Sequence, residues 1–158
     1  MGAASRTMGI SVTDVDTSAK LPLGFCYHQP ADDGNAGEKV WIYVQMTGAA
    51  AVVGSVLSFG DGATTYVVQK SPANTHASRV VGVAQHAIAQ NSYGFILRRG
   101  LGSVLADTGD LSADTGLIVG DAVGTADDAA AVTSAVFGIA TAGISAGATG
   151  NCFINCMG

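Results

Sequence analysis

Short apolar runs alternate with turns along the chain, and the clearest alternation is KVWIYVQM at Lys39–Met46. The even-numbered residues of this segment share one side of an extended strand, and the odd-numbered residues, including Trp41 and Tyr43, share the other. Because both sides are apolar, the pattern predicts a central strand, or a strand whose outer side meets a partner.

The rest of the chain repeats this pattern in shorter segments. Two apolar runs at 55–59 and 64–69 flank Gly60-Asp61-Gly62, and Asp-Gly between apolar runs favours a hairpin because the turn needs positive φ. The Ala-rich stretches 48–52 and 126–132 are candidates for a helical turn. About ten strands without a convincing amphipathic helix predict an all-β fold, a compact β-barrel or β-sandwich of the β-tulip or jelly-roll type. The further predicted strands lie at 24–28, 79–84, 93–99, 103–106, 117–119, 132–139 and 151–157.

The N-terminal residues differ from the rest of the chain. Residues 1–22 show little periodicity and end at Pro22, which predicts an extended N-terminal arm followed by one β-rich domain at 23–158. Val12 and Val15 within this arm are candidates to add a short strand to another sheet.

The composition shows that the chain is unusually poor in charged residues, which are normally found on the protein surface. Charged residues make up 12% of the chain, about half of the usual quarter. Either neighbouring subunits cover much of the surface, or Ser, Thr, Asn and Gly supply its polarity; the composition alone leaves both open. Glu38 is the only Glu among the 12 acidic residues, so the other eleven are Asp, the acid that favours turns.

Charge and hydropathy argue against nucleic acid and membranes as partners, and the N-terminus and the cysteines argue against a signal peptide and disulfides. The net charge is −5 and the basic residues are scattered, with Arg98-Arg99 as the one adjacent pair, so no nucleic acid is predicted. Residues 129–144 are uncharged but too short and too Ala-rich for a membrane span, so no membrane contact is predicted. The N-terminus lacks the apolar stretch of a signal peptide. The three cysteines do not form a closed disulfide set and are predicted to be reduced thiols.

Two triplets spell the motif of aspartic proteases, Asp107-Thr108-Gly109 and Asp114-Thr115-Gly116. That chemistry needs two carboxylates that share a proton across a twofold axis. Two triplets only seven positions apart cannot face each other in this way. We interpret both triplets as turns, since Asp and Gly are common turn residues and the chain has many turns. A small dimeric aspartic protease is the distant alternative.

Other patterns of catalytic or metal-binding type are equally incomplete. Ser145 lies in a Gly-x-Ser-x-Gly segment, but a nucleophile elbow needs a following helix and a later His, and all three His precede it. Asp107, Asp110 and Asp114 are candidates for a calcium site, although their spacing is not that of the twelve-residue calcium loop. We therefore predict a non-enzymatic protein with no cofactor, and leave the calcium question open.

The order of several phrases resembles the capsid decoration (cement) proteins of tailed bacteriophages. These phrases are RVVGVA at 79–84, YGF at 93–95, LIVGDAV at 117–123 and AVFGIA at 135–140, before the terminal CFINCMG. The resemblance covers residues 79–158. It implies a β-barrel or β-tulip body, often trimeric, which docks on a shell of major capsid protein and carries no catalytic residues.

The expected function is therefore that of a virion structural protein that binds the outside of a capsid shell and stabilises it. Its partners would be the major capsid protein and further copies of itself, with a trimer favoured, on virions assembled in the host cytoplasm. A tail- or fibre-associated β module that binds a host glycan through loops 29–37 and 71–78 is the alternative. The residues predicted at interfaces are Arg6, Val12, Val15, Trp41, Tyr43, Tyr93, Phe95, Arg98 and Arg99. The four aromatic residues are chosen because aromatic side chains contribute most at interfaces, and packing in the core of the single chain is the alternative for each of them.

Overall fold

The computed structural model describes residues 6–7, 9–31, 37–60, 66–130 and 135–157, and shows an all-β protein. One short 3-10 helix, Ala77–Arg79, interrupts the strands in these ranges, and none of the helical structure described there could cross a membrane. The strands are β1 (Arg6–Thr7), β2 (Ile10–Ser11), β3 (Val15–Asp16), β4 (Cys26–Gln29), β5 (Lys39–Met46), β6 (Val56–Phe59), β7 (Val67–Lys70), β8 (Val80–Val83), β9 (Tyr93–Leu105), β10 (Gly116–Val119), β11 (Ala126–Asp128), β12 (Gly138–Ala140) and β13 (Thr149–Asn155).

Five strands close into a barrel in the order β5–β7–β6–β8–β9, with β9 pairing back to β5. The β5–β7 pair is parallel and the other pairs are antiparallel. The even-numbered side of β5 faces the interior, where Ile42 lies opposite Ile96 in register. The buried residues of this interior are Ile42, Val44, Met46, Ala51, Leu57, Val68, Val81, Ala84, Ile88 and Ile96. The predicted central strand is confirmed, since β5 pairs with β4, β7 and β9.

The outer side of β5 and β9 is also buried, because the N-terminal segment covers it. Tyr43 and Phe95 are fully buried there and belong to the same cluster as Val12 and Leu21. Strand β3 pairs with the start of β9, and the backbone N–H of Lys20 donates to the Tyr43 hydroxyl at 3.2 Å.

The predicted extended arm is not confirmed. Within 9–22, Val12 and Leu21 lie against the barrel, so this part of the chain is a covering layer of the domain. The sequence did not predict this burial, because isolated apolar residues such as Val12 and Leu21 have no regular spacing that would indicate a buried face. Residues 1–5 and 8 of the predicted arm lie outside the described residues.

A second sheet continues from the barrel because β9 runs on past Gly100. Its C-terminal half pairs with β13, and the sheet then follows the order β13–β12–β10–β11. A parallel bridge between Ala106 and Ala126 brings β11 back to the end of β9. The sheet therefore curls around Leu117, Phe137 and Ile154, which belong to the same buried cluster as Tyr43 and Phe95.

Several predicted elements need correction. The stretch 126–132 was predicted to hold a helical turn, but Ala126–Asp128 is strand β11, because pairing with β10 outweighs the helix propensity of Ala. The stretch 48–52 is not helical either, since Ala51 bridges to Ile88. The two strands predicted at 93–99 and 103–106 form one strand, because Gly100 adopts the positive φ of 118° at the junction.

The predicted hairpin is confirmed as a pairing, since β6 and β7 are antiparallel neighbours. Its turn at 61–65 lies outside the described residues. The strand predicted at 132–139 is observed at Gly138–Ala140, and residues 131–134 of that range also lie outside the described part of the chain.

Candidate functional site

The two protease-like triplets serve different turns. Asp107 is buried, and its Oδ2 accepts hydrogen bonds from the backbone N–H groups of Asp121 and Ala122, in the turn between β10 and β11. Asp114 is exposed in another turn at a positive φ of 63°. The two carboxylates therefore have unrelated surroundings, and neither is arranged as half of a proton-sharing pair.

Hydrogen bonding also sets the ionisation of Asp107. Burial alone would raise the pKa of this carboxyl group, but hydrogen bonds, including those from the backbone N–H groups of Ala122 and Asp121, outweigh burial and hold the pKa below its usual range. Asp107 is thus an ionised group at neutral pH that holds a turn, whereas a shared catalytic proton would need a raised pKa.

The other acidic residues near these triplets also bind the backbone. Asp110 Oδ1 accepts the N–H of Ala146 at 2.8 Å. Asp128 accepts the N–H of Ser112 at 2.9 Å and the Thr115 hydroxyl at 2.6 Å, which lowers its pKa against the opposing effect of burial. In the ranges that the structure describes, no three His, Cys, Asp or Glu side chains are grouped closely enough to hold a metal ion.

Ser145 lies in a tight turn before β13, where its carbonyl accepts the N–H of Ala148 at 3.0 Å. The segment that follows is strand β13 and not the helix that a nucleophile elbow requires. The polar groups of the 71–78 loop also serve the loop itself: the Thr75 hydroxyl donates to the carbonyl of Pro72 at 2.7 Å, and His76 caps the short 3-10 helix.

The three cysteines are free thiols, as predicted, but they differ in burial. Cys26 is exposed and lies 3.9 Å from a guanidinium nitrogen of Arg98. Burial raises the pKa of Cys152 to about 11 and that of Cys156 to about 12. Since the thiolate is the nucleophile, these two thiols are unreactive in the folded protein at neutral pH.

We therefore expect iodoacetamide at neutral pH to label Cys26 alone in the folded chain and all three cysteines after denaturation. Mass spectrometry of proteolytic peptides gives the site of each label. A Cys26→Ser variant is the control and is expected to take up no label while folded. Rapid labelling of Cys152 in the folded protein would contradict the burial of this side chain beneath β13.

The residues predicted at interfaces are divided by the structure. The aromatic residues Trp41, Tyr43 and Phe95 are buried in the core of the single chain, which is the alternative that the sequence left open. Tyr93 is half-buried and its ring stacks on Tyr43 at 6.4 Å.

The remaining predicted positions lie apart from one another. Val12 is buried, whereas Val15 and Arg99 are exposed. Arg98 is half-buried beside Cys26, and Arg6 belongs to β1, although its side chain lies outside the described atoms. The structure therefore does not bring the predicted residues together into one surface, and their role at an interface stays a prediction.

An exposed apolar row that the sequence analysis missed crosses the C-terminal sheet. Ile139 on β12 lies directly opposite Phe153 on β13, which lies opposite Leu101 on β9. Ile139 is 48% exposed and Phe153 is 41% exposed. Val136, also exposed, lies beside them over Gly116.

We name this surface the Phe153 face. Strand β13 shows the exposed side clearly, since Asn151, Phe153 and Asn155 are exposed while Cys152 and Ile154 are buried. Neither β12 nor β13 contains a charged residue. The alternation in NCFINC was the available signal, but the sequence alone does not tell which of its two sides faces solvent. The Phe153 face consists of Leu101, Val136, Ile139, Asn151, Phe153 and Asn155.

These observations define the class of the chain as an all-β protein with a closed five-stranded barrel, an attached curled sheet and one uncharged exposed face. No protein-family model and no curated protein matches the sequence. Among solved structures, the chain is similar to one described as the "head fiber gp8.5 N base in bacteriophage phi29". That similarity covers 73% of this chain and 93% of the other, with 18% identity and a TM-score of 0.54. At this identity it shows a shared fold.

Proposed function

We propose that this chain is a structural protein of a bacteriophage virion, which binds the outside of the head shell and stabilises it. The observation that carries the proposal is the shared fold with a protein described as the base of a phage head fiber.

The stabilising effect would follow from mass action. A protein that binds the assembled shell, and not its dissociated subunits, stabilises the shell by its binding free energy, repeated at every occupied site. Binding of this kind needs no catalytic group and no cofactor, and it depends only on complementary surfaces.

The test uses virions of the phage that encodes the chain, with and without this protein. We expect heads that lack it to rupture at a lower temperature and under milder osmotic shock. Adding the purified protein back should restore both thresholds, and adding heat-denatured protein should not. Heads of unchanged stability combined with lost adsorption to the host would contradict the proposal and favour the glycan-binding alternative.

A further inference from the structure

The exposed side of β13 carries Thr149, Asn151, Phe153 and Asn155, with neighbouring side chains about 7 Å apart along the strand. The last three of these residues, Asn, Phe and Asn, are symmetrical about Phe153. A twofold axis through Phe153 would therefore place Asn151 of one copy opposite the partner's Asn155. Because a carboxamide both donates and accepts hydrogen bonds, an Asn is a complementary partner for another Asn.

We propose that the Phe153 face is a self-association surface on which a second copy of this chain packs around such a twofold axis. In a twofold interface the same patch is used by both subunits, so the patch must be complementary to itself. The row of Asn, Phe and Asn meets this requirement, and Phe153 lies at its centre, where aromatic residues contribute most to binding.

The distribution of charge favours a second copy over a charged partner. The chain carries a net charge of −5, so two copies repel each other over most of their surfaces. Strands β12 and β13 carry no charge, and the charged residue next to them in register is Arg99, opposite Asn155 at the rim. A strongly basic or acidic partner would find no opposite charge at the centre of this face.

The size of the face predicts a weak dimer. Four strands from β10 to β9 span about 19 Å, and the seven residues of β13 span about 23 Å, so each copy offers about 440 Å². The pair would bury about 900 Å², which lies below the range of about 1,200–2,000 Å² that is usual for stable complexes. We therefore expect a dimer that dissociates on dilution, independently of any binding to a head shell.

Sedimentation velocity over a series of chain concentrations tests this inference. We expect a concentration-dependent shift from monomer to dimer in the wild-type chain, and at least about 100-fold weaker association for Phe153→Asp, since each dimer loses two central aromatic residues. Val123→Asp is the matched control, because Val123 is 59% exposed outside this face, and it is expected to associate like the wild type. Circular dichroism shows whether each variant is folded.

Cross-linking provides a measurement that does not depend on weakening the face. In a Cys26→Ser background, Phe153→Cys places one thiol on the proposed axis in each copy, and oxidation with diamide should give a covalent dimer. Val123→Cys in the same background should remain monomeric. A wild-type chain that is monomeric at every concentration, a trimer, or a dimer unaffected by Phe153→Asp would each overturn the inference. Loss of head binding by Phe153→Asp from a chain that is always monomeric would also overturn it and would assign the face to the shell.

Discussion

We expect Phe95→Ala to lower the free energy of unfolding by about 3–5 kcal/mol, the usual cost of removing a large aromatic ring from a protein core. Phe95 is fully buried and packs edge-on against Tyr43, with the ring centroids 5.2 Å apart. The cavity would open beneath the N-terminal segment, where Val12 and Leu21 cover the barrel. Urea-induced unfolding, followed by circular dichroism at a concentration where the chain is monomeric, measures the change.

The matched control for this experiment is Phe153→Ala, the same chemical change at an exposed position. Phe153 is 41% exposed, so its replacement is expected to cost about 1 kcal/mol or less in the monomer. Comparing Phe95→Ala with Phe153→Ala also tests whether Phe95 lies in the core and Phe153 on the surface. Equal losses at the two positions, or a small loss at Phe95, would contradict the placement of Phe95 in the core of the single chain.

The fold class followed from the sequence because strand alternation is a local property. Strand β5 is observed at its predicted bounds, Lys39–Met46, since apolar residues on both of its sides have no stable place except between two layers. The pairing of β6 with β7 also followed, because Asp-Gly between two apolar runs favours a hairpin. The length of the connection did not follow, since Gly60 pairs with Val67 and the connection is longer than a two-residue turn.

The features that sequence reasoning missed depend on contacts between distant segments. Strand β11 is stabilised by its pairing with β10 and by the return to β9 at Ala106, which no local pattern reveals. The burial of Val12 and Leu21 likewise depends on the barrel surface that they cover. For the candidate site, aromatic type alone favoured Tyr43 and Phe95, but the register of β13 decides that Phe153 is the exposed ring.

Asp107 is the polar side chain whose removal should cost most, and we expect Asp107→Asn to lower the free energy of unfolding by about 2–3 kcal/mol. The carboxylate is 4% exposed and accepts hydrogen bonds from the backbone N–H groups of Asp121 and Ala122. Both N–H groups meet the same oxygen, Oδ2, and the carboxamide oxygen of Asn can take its place, so the substitution removes the charge and keeps an acceptor. Hydrogen bonds to a charged acceptor contribute about 1.5–3 kcal/mol each and those to a neutral acceptor about 0.5–1.5 kcal/mol, so both bonds become weaker. Asp114→Asn, in the second triplet, is the control and should change the stability by about 0.5 kcal/mol or less, since Asn tolerates the positive φ of 63°.

The pH dependence of this loss identifies its electrostatic origin. The folded-state pKa of Asp107 lies below that of an unfolded Asp, about 3.9, so its contribution is complete above that pH. As the pH falls from about 4 through the lower folded-state pKa, the unfolded chain binds its proton first and the contribution is lost. The difference in the free energy of unfolding between the wild type and Asp107→Asn should therefore shrink in this range. Asp128 also has a lowered pKa, but it is present in both proteins, so its contribution cancels in the difference. A gap that stays constant from neutral pH to pH 3 would mean that the carboxylate charge does not hold the turn between β10 and β11.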